Sequence, residues 1–246
     1  MDRSLYIAMS GAKQTLLAQT SNANNLANAQ TTGFKSDFEQ FRSMPVFGPG
    51  FPTRVYAMTE RPGSDMSMGS IQTTGNDLDV AIKGDGWFVV EDEGGNEAYT
   101  RAGDLRITPE GRLETGRGFA IYGDDGPIVL PPAEKIDIGN DGTISIIPVG
   151  ETASTLAVID RIKMVKPNMS NLEKLSDGFM HTKDGSILEA DASVSLVQGA
   201  LEGSNVNAVS ALVEMIELAR NFELQTKVMK SADDNSGVSV KLMQMA

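Results

Sequence analysis

Residues 24–35 read NNLANAQTTGFK, and the sequence changes character on either side of them. Before them, Leu5, Met9, Ala12, Leu16, Ala23 and Leu26 recur at heptad spacing, broken only by Gln19. That period predicts a helix over residues 3–28 with one narrow apolar stripe, the seam of a helix that packs on another helix. Asn24, Asn25 and Asn28 crowd its end, and Gly33 is the expected stop. The far end of the chain mirrors this arrangement. Residues 201–207, LEGSNVN, open a second stripe of Leu212, Met215, Ala219, Phe222, Met229, Val240 and Met243, with Thr226, Asp233 and Ser236 as polar interruptions. Ser204 and Asn205 are the expected N-caps of this helix, and the run Asp233–Gly237 predicts a bend in it.

Between the two helical ends the period is different. Residues 43–53, SMPVFGPGFPT, hold three prolines and two glycines, a composition that predicts a linker or extended arm without regular structure. From Val55 the segments LDVAI, WFVVE, LRIT, FAIY, TISII and TLAVIDRIKMV are short and rich in β-formers. Asp-Gly pairs at 85–86, 125–126, 141–142, 177–178 and 184–185 supply the positive φ values of tight turns. No helical pattern separates the strands, so parallel βαβ units are excluded in favour of a mainly β, antiparallel body of barrel or sandwich type. The expected division is an N-terminal helix over 1–35, an arm over 36–54, a β-rich body over 55–203 and a C-terminal helix over 204–246.

Composition narrows the chemistry. The chain has no Cys, which excludes a disulfide framework, a zinc–thiolate site and a thiol nucleophile. Its net charge is −12; residues 1–35 carry +2 and residues 205–246 carry −1, leaving −13 on the stretch between. An acidic body with near-neutral ends lacks the basic footprint that nucleic acid requires. No apolar run approaches the ~20 residues that cross a bilayer, so no membrane insertion is expected. The N-terminus has no signal-peptide pattern, so taken alone the chain reads as cytosolic.

Three stretches in order resemble the bacterial flagellar rod and hook family: NNLANAQTTGFK at 24–35, LDVAIKGDGWFVV at 78–90 followed by YTRAGDLRITPEGRL at 99–113, and LEGSNVN at 201–207 with Arg220, Phe222 and Glu223 beyond it. Only 42 residues separate Lys35 from Leu78 and the body has no large insertion, which favours a proximal rod subunit, with a distal rod or hook-type subunit of the same family as the alternative. The resemblance implies a structural protein of the basal body that leaves the cell through the flagellar export apparatus, without a cleaved signal, and assembles in the periplasm. That destination replaces the cytosolic reading. The terminal helices would form a coiled-coil-type inner layer with the β body outside it. Partners would be further copies, other proximal rod proteins and the distal rod protein. The implied assembly residues are Leu5, Met9, Leu16, Asn25, Leu26, Asn28 and Phe34 at one end, and Asn205, Leu212, Met215, Ala219, Phe222 and Met229 at the other. Asn25, Asn28 and Asn205 serve equally as local caps or as hydrogen-bonding groups across subunits.

No cofactor, metal or catalytic residue is expected. His181 is the single histidine, and nothing marks a nucleophile beside it; it reads as a strand or turn residue near Phe179. Asp85 and Asp141 lack the alternating ligands and distal Glu of a calcium loop. Gly84, Gly86 and Gly116–Gly118 belong to no phosphate-binding motif. Trp87 and Phe88 follow a tight turn and are expected to be half core, with an exposed anchor as the alternative. The rival class is an acidic β domain that binds or hydrolyses cell-wall carbohydrate through a carboxylate pair.

Overall fold

The computed structural model describes residues 3–45, 55–150 and 156–244, which fall into two compact units. The first takes in residues up to 29, 37–65 and 206 onward; the second comprises 30–36 and 66–205. No helix among the described residues is long and apolar enough to cross a membrane.

The first unit contains helix α1 (Arg3–Ala27), a hairpin of β1 (Asp37–Pro45) and β2 (Val55–Ser64), and helix α2 (Ala208–Gln244). Residues 37–45 were expected in an irregular arm; instead they form β1, paired antiparallel with β2 from Asp37↔Ser64 to Pro45↔Val55. A bulge between Phe38 and Gln40 and a 2.8 Å Arg42–Glu60 ion pair accompany this register. The prolines and glycines that suggested the arm lie at Pro45, where β1 ends, and in 46–54, outside the described residues. The strand period from Val55 onward is present, but β2 groups with the helices and not with the β body.

The helix ends also differ from the expectation. α1 closes at Ala27, where the Asn28 amide donates to the Asn24 and Asn25 carbonyls, so Gly33 is not its stop. The N-cap of α2 is Asn207: its side-chain oxygen accepts from the Val209 and Ser210 amides at 3.0 and 3.1 Å. α2 continues unbroken through Asp233–Gly237. One helical glycine costs only about 1 kcal/mol relative to alanine, which the turns on each side can carry.

The second unit is all β, apart from a 3-10 turn at Met169–Asn171. Its strands are β3 (Ile71–Thr73), β4 (Val80–Lys83), β5 (Trp87–Glu91), β6 (Glu97–Thr100), β7 (Leu105–Ile107), β8 (Leu113–Thr115), β9 (Ala133–Ile138) and β10 (Thr143–Pro148). There follow β11 (Ala157–Arg161), β12 (Met164–Val165), β13 (Leu172–Lys174), β14 (Met180–Thr182), β15 (Ser195–Gln198) and β16 (Ala200–Glu202). Every pairing is antiparallel: a five-stranded sheet in the order β12-β5-β6-β14-β13, a three-stranded sheet β11-β10-β9, and the pairs β15–β4, β16–β3 and β7–β8. No barrel closes among the described strands. The glycines of all five Asp-Gly pairs have positive φ, as the turns require.

β5 explains the run WFVV. Side chains alternate across a strand, and here both sides are core. Phe88 and Val90 join the larger cluster with Val80, Ile82, Leu105, Leu113, Ile121 and Ile144. Trp87 and Val89 join the smaller one with Tyr99, Val165, Leu172 and Met180. Trp87 and Phe88 are each 1% exposed, so neither is the half-core or anchor residue anticipated.

Asp104 sits near this core, and burial pushes its carboxyl above the usual 3.8, with Asp79 adding to the effect. The folded protein therefore keeps a proton that the unfolded chain releases, and stability falls as pH rises from 3.8 through the raised value. Asp104→Asn is expected to remove that fall, melting above the parent at neutral pH and close to it in acid. Thermal melts across pH 3.5 to 7 check this (about the carboxylate titration range).

Candidate assembly interface and the junction of the three motifs

α1 and α2 pack on each other, α1 through small side chains and α2 through a stripe that includes large ones. On α1 the buried face is Ala8, Gly11, Ala12, Thr15, Ala18 and Asn22. On α2, Ala211 and Leu218 are buried, while Met215, Phe222, Gln225, Met229 and Ala232 are half-buried. The α2 set keeps strict alternating heptad spacing. It shares Met215, Phe222 and Met229 with the sequence-based stripe. The other heptad position is shifted by one residue, replacing Leu212, Ala219, Thr226 and Asp233 with Ala211, Leu218, Gln225 and Ala232. In this register Thr226 and Asp233 leave the stripe and Gln225 enters it as a polar member.

Polar bonds fix the alignment. The Asn22 side chain donates to the Ala211 carbonyl at 2.8 Å. Gln225 donates to the Thr15 hydroxyl at 3.3 Å, and that hydroxyl donates to the Gly11 carbonyl at 3.0 Å. A Cβ on Gly11 would stand 3.0 Å from the Gln225 amide, so the crossing is tight as well as polar. None of Asn22, Thr15 and Gln225 was singled out in the sequence; their signal is that they keep the heptad spacing of the alanines around them.

The large apolar residues selected from the sequence mostly lie away from this seam. Met9 is 55% exposed, Leu16 47% and Leu212 49%; Ala219 is exposed as well, and Leu5 and Leu26 are half-buried. Tyr6, Leu17, Val213 and Ile216 are also about half exposed. Each helix therefore has one face inside the unit, built of small residues on α1, and exposed apolar side chains on the side away from it. A groove of about 620 Å³ opens between the helices and the hairpin, lined by Ile7, Gly11, Phe41, Val55, Leu224 and Val228 among others.

The asparagines act within the chain. Asn25 and Asp37 exchange two bonds, Asn25 Nδ2 to the Asp37 carbonyl at 3.0 Å and the Asp37 amide to Asn25 Oδ1 at 2.9 Å, tying α1 to β1. The Asn28 side chain donates to the Asn24 carbonyl. Asn205 Oδ1 accepts from the Ser36 amide at 2.8 Å, and its own amide donates to the Phe34 carbonyl. The Phe34 ring lies 3.9 Å beneath the Lys174 ammonium, which also donates to the Lys35 carbonyl.

The three sequence stretches meet at one buried carboxylate. Glu202 Oε1 accepts from Lys35 Nζ at 2.7 Å and from the Gly69 amide at 3.0 Å, and Oε2 accepts from Arg101 Nη1 at 2.9 Å. The side chains of Lys35, Arg101 and Glu202 are 3%, 2% and 0% exposed. Lys35 also donates to the Ser67 carbonyl and Arg101 to that of Gly84, while the Arg101 guanidinium lies 5.4 Å from the centre of the Trp87 ring. The Gly33 amide donates to the Glu202 carbonyl at 2.8 Å. With φ of +66° and the Arg101–Ala102 backbone 2.3 Å from where a Cβ would be, Gly33 has its motif position for reasons of space. Lys35, Arg101 and Glu202 each stand in a stretch that the sequence marked, yet nothing in their spacing shows that they converge.

The residues weighed for chemistry are placed as follows. His181 on β14 bonds Asp177 at 2.7 Å and shares a cleft of about 580 Å³ with Asp92, Glu97, Tyr122 and Glu173. Among the described residues no group of three or more His, Asp or Glu is placed to hold a metal ion. Asp141 accepts from the Thr143 amide and hydroxyl, which lowers its pKa and makes it a turn residue. Asp85 pairs with Lys166 at 3.6 Å on the surface.

The shifted register has a direct test. Ala18→Leu overpacks the closed face and is expected to cost about 1–3 kcal/mol, whereas Leu17→Ala beside it removes an exposed side chain and is expected to change stability by less than about 0.5 kcal/mol. Denaturation followed by helical circular dichroism separates the two.

Family comparisons accord with this arrangement. Residues 5–35 match the model of the flagella basal body rod protein, residues 81–146 that of the flagellar hook protein FlgE/F/G D1 domain, and residues 197–242 that of the flagellar basal body rod FlgEFG protein C-terminal region. The chain is 42% identical over 252 residues to the flagellar basal-body rod protein FlgF of Escherichia coli K12, covering all of both chains. It is 40% identical over 252 residues to FlgF of Salmonella typhimurium LT2, again over all of both. To the basal-body rod protein FlgG of Bacillus subtilis 168 it is 32% identical, over 95% of this chain and 96% of that one. These three matches along the chain, together with full-length identity of this order, place it in the flagellar basal-body rod family.

Proposed function

We propose that this structural subunit of the flagellar rod belongs to its proximal part and assembles through the outward faces of α1 and α2. The observation that carries the reading is the double-faced helix pair. One face is closed by small residues within the chain, and the other presents Met9, Leu16, Leu212 and Ile216 about half exposed. A helix pair with a closed seam and an open apolar face can add neighbours without undoing itself. Repeated head-to-tail, such heterologous contacts give an open helical assembly. The neighbours are further copies and other rod proteins, with the distal rod protein at one end. Full-length identity to two FlgF proteins supports the proximal position.

In this reading the protein has no catalytic role and binds no cofactor. It reaches the periplasmic part of the basal body through the flagellar export apparatus. The densely packed β unit supplies stiffness, because interiors at crystal-like density deform little, and so the rod carries torque from motor to hook. The cleft at His181 does not favour the carbohydrate-active alternative: Asp92 accepts from the Gly94 and Asn96 amides, Glu97 from Lys163, and His181 is bonded to Asp177.

The test uses Met9→Glu and Leu212→Glu, each placing a charge on the open face. Exposed substitutions of this kind change stability by about 0.5 kcal/mol or less, so the purified variants are expected to melt with the parent. Cells carrying either as the sole copy are expected to lose swimming and to yield no complete rod in isolated basal bodies. Normal swimming by both variants would overturn the reading.

A further inference from the structure

The carboxylate of Glu202 is more than a stabilising partner, because of where its two cations stand in the chain. Lys35 is 167 residues away and Arg101 is 101 residues away. Arg101 directly follows β6, which lies in the middle of the five-stranded sheet beside β5. Once β5 and β6 pair, the chain has no choice about Arg101: its guanidinium is delivered to the Trp87 ring, inside the smaller core. There, among the described residues, it bonds the Gly84 carbonyl and the Glu202 carboxylate, while its Nε has no hydrogen-bond partner. A buried guanidinium without its carboxylate is strongly disfavoured. The sheet, whose strands span residues 87–182, therefore closes over Arg101 only when a residue from the final fifth of the chain arrives.

We propose that Glu202 is a latch: it holds the second unit open until the C-terminal stretch has docked, and then shuts it in one step. The latch brings more than charge. β16 ends at Glu202 and pairs with β3, while Ala200 and Leu196 enter the buried set from the same stretch. The Gly33 and Gly69 amides close onto Glu202 from the other side. A chain that has not yet supplied residues 195–202 thus lacks two strand pairs, β15–β4 and β16–β3, two pieces of core and the anion that permits Arg101 to be buried. This ordering is independent of whether the protein sits in the proximal or the distal rod.

Trp87, the only tryptophan, lies under Arg101 and reports closure directly. The first experiment is refolding of the full chain with pulsed hydrogen exchange, comparing the Ile121 and Ile128 amides, which bond within the β unit, with the Gly33 and Gly69 amides, which bond to Glu202. The latch predicts that all four become protected in the same kinetic phase, together with the blue shift of Trp87 emission. Protection of Ile121 and Ile128 in a clearly earlier phase would overturn it.

The second experiment compares Glu202→Gln with the triple variant Lys35→Met, Arg101→Met, Glu202→Met. Glu202→Gln keeps the shape but strands the guanidinium, and the folded-to-unfolded ratio is expected to drop by at least about 100-fold. The triple variant removes the charges with the latch, and its Trp87 burial is expected to recover and to run ahead of protection of the Gly33 amide, whose acceptor is the backbone carbonyl of residue 202. Parent-like stability of Glu202→Gln, or a triple variant that stays as open as Glu202→Gln, would show that charge matching at this site does not control closure.

Discussion

The architecture depends on one buried carboxylate accepting from two buried cations. Glu202 is fully enclosed and receives Lys35, Arg101 and the Gly69 amide on its two oxygens. Desolvating three charged groups is expensive, and such a cluster is tolerated only when geometry and extra hydrogen bonds are good. Here they are: every donor distance is 3.0 Å or less. The consequence is specificity of arrangement. Lys35 follows the Asn-rich helix end, Arg101 follows the central sheet and Glu202 precedes α2, so one site sets the relation of three distant stretches. Gly33 and Asn205 take their places from the same junction, one donating to the Glu202 carbonyl, the other to the Phe34 carbonyl.

The element types were legible in the sequence, because they rest on period and turn chemistry. Heptad spacing marked both helices, and period two with Asp-Gly turns marked an antiparallel body. What could not be read was the seam register. Large apolar residues attract the eye, and Leu5, Met9, Leu16 and Leu212 line up well. Yet helices that approach closely need small side chains between them, so the closed face uses Ala8, Gly11, Ala18 and Ala211. An offset of one residue rotates the helix by about 100°, enough to exchange an inner face for an outer one. Two apolar faces on one helix cannot be ranked from a single sequence, since nothing in it says which partner is intramolecular.

The arm was misread for a related reason. Proline and glycine density predicted irregular chain around 43–53, but β1 already runs from Asp37 to Pro45, with Asn25 bonded to its first residue. A strand in a two-stranded ribbon tolerates proline at its end, where no ladder bond is required. Likewise the convergence of Lys35, Arg101 and Glu202 is a tertiary fact: separations of 101 and 167 residues leave no local trace. The chemistry-bearing candidates fared differently. Asp141 could be assigned to a turn because its role is local, completed two residues away at Thr143.

The two-sided burial of β5 bears on how such a protein ages in service. A strand that is polar on both faces can slip along its neighbour and settle in a new register at modest cost. β5 cannot, because a shift of one residue would drive Trp87 into the cluster built around Phe88 and Phe88 into the pocket shaped for Trp87. Between the native register and wholesale rupture there is no comfortable intermediate position. A part built this way does not creep under a steady twist. It returns to its original shape after each cycle of load, or it breaks.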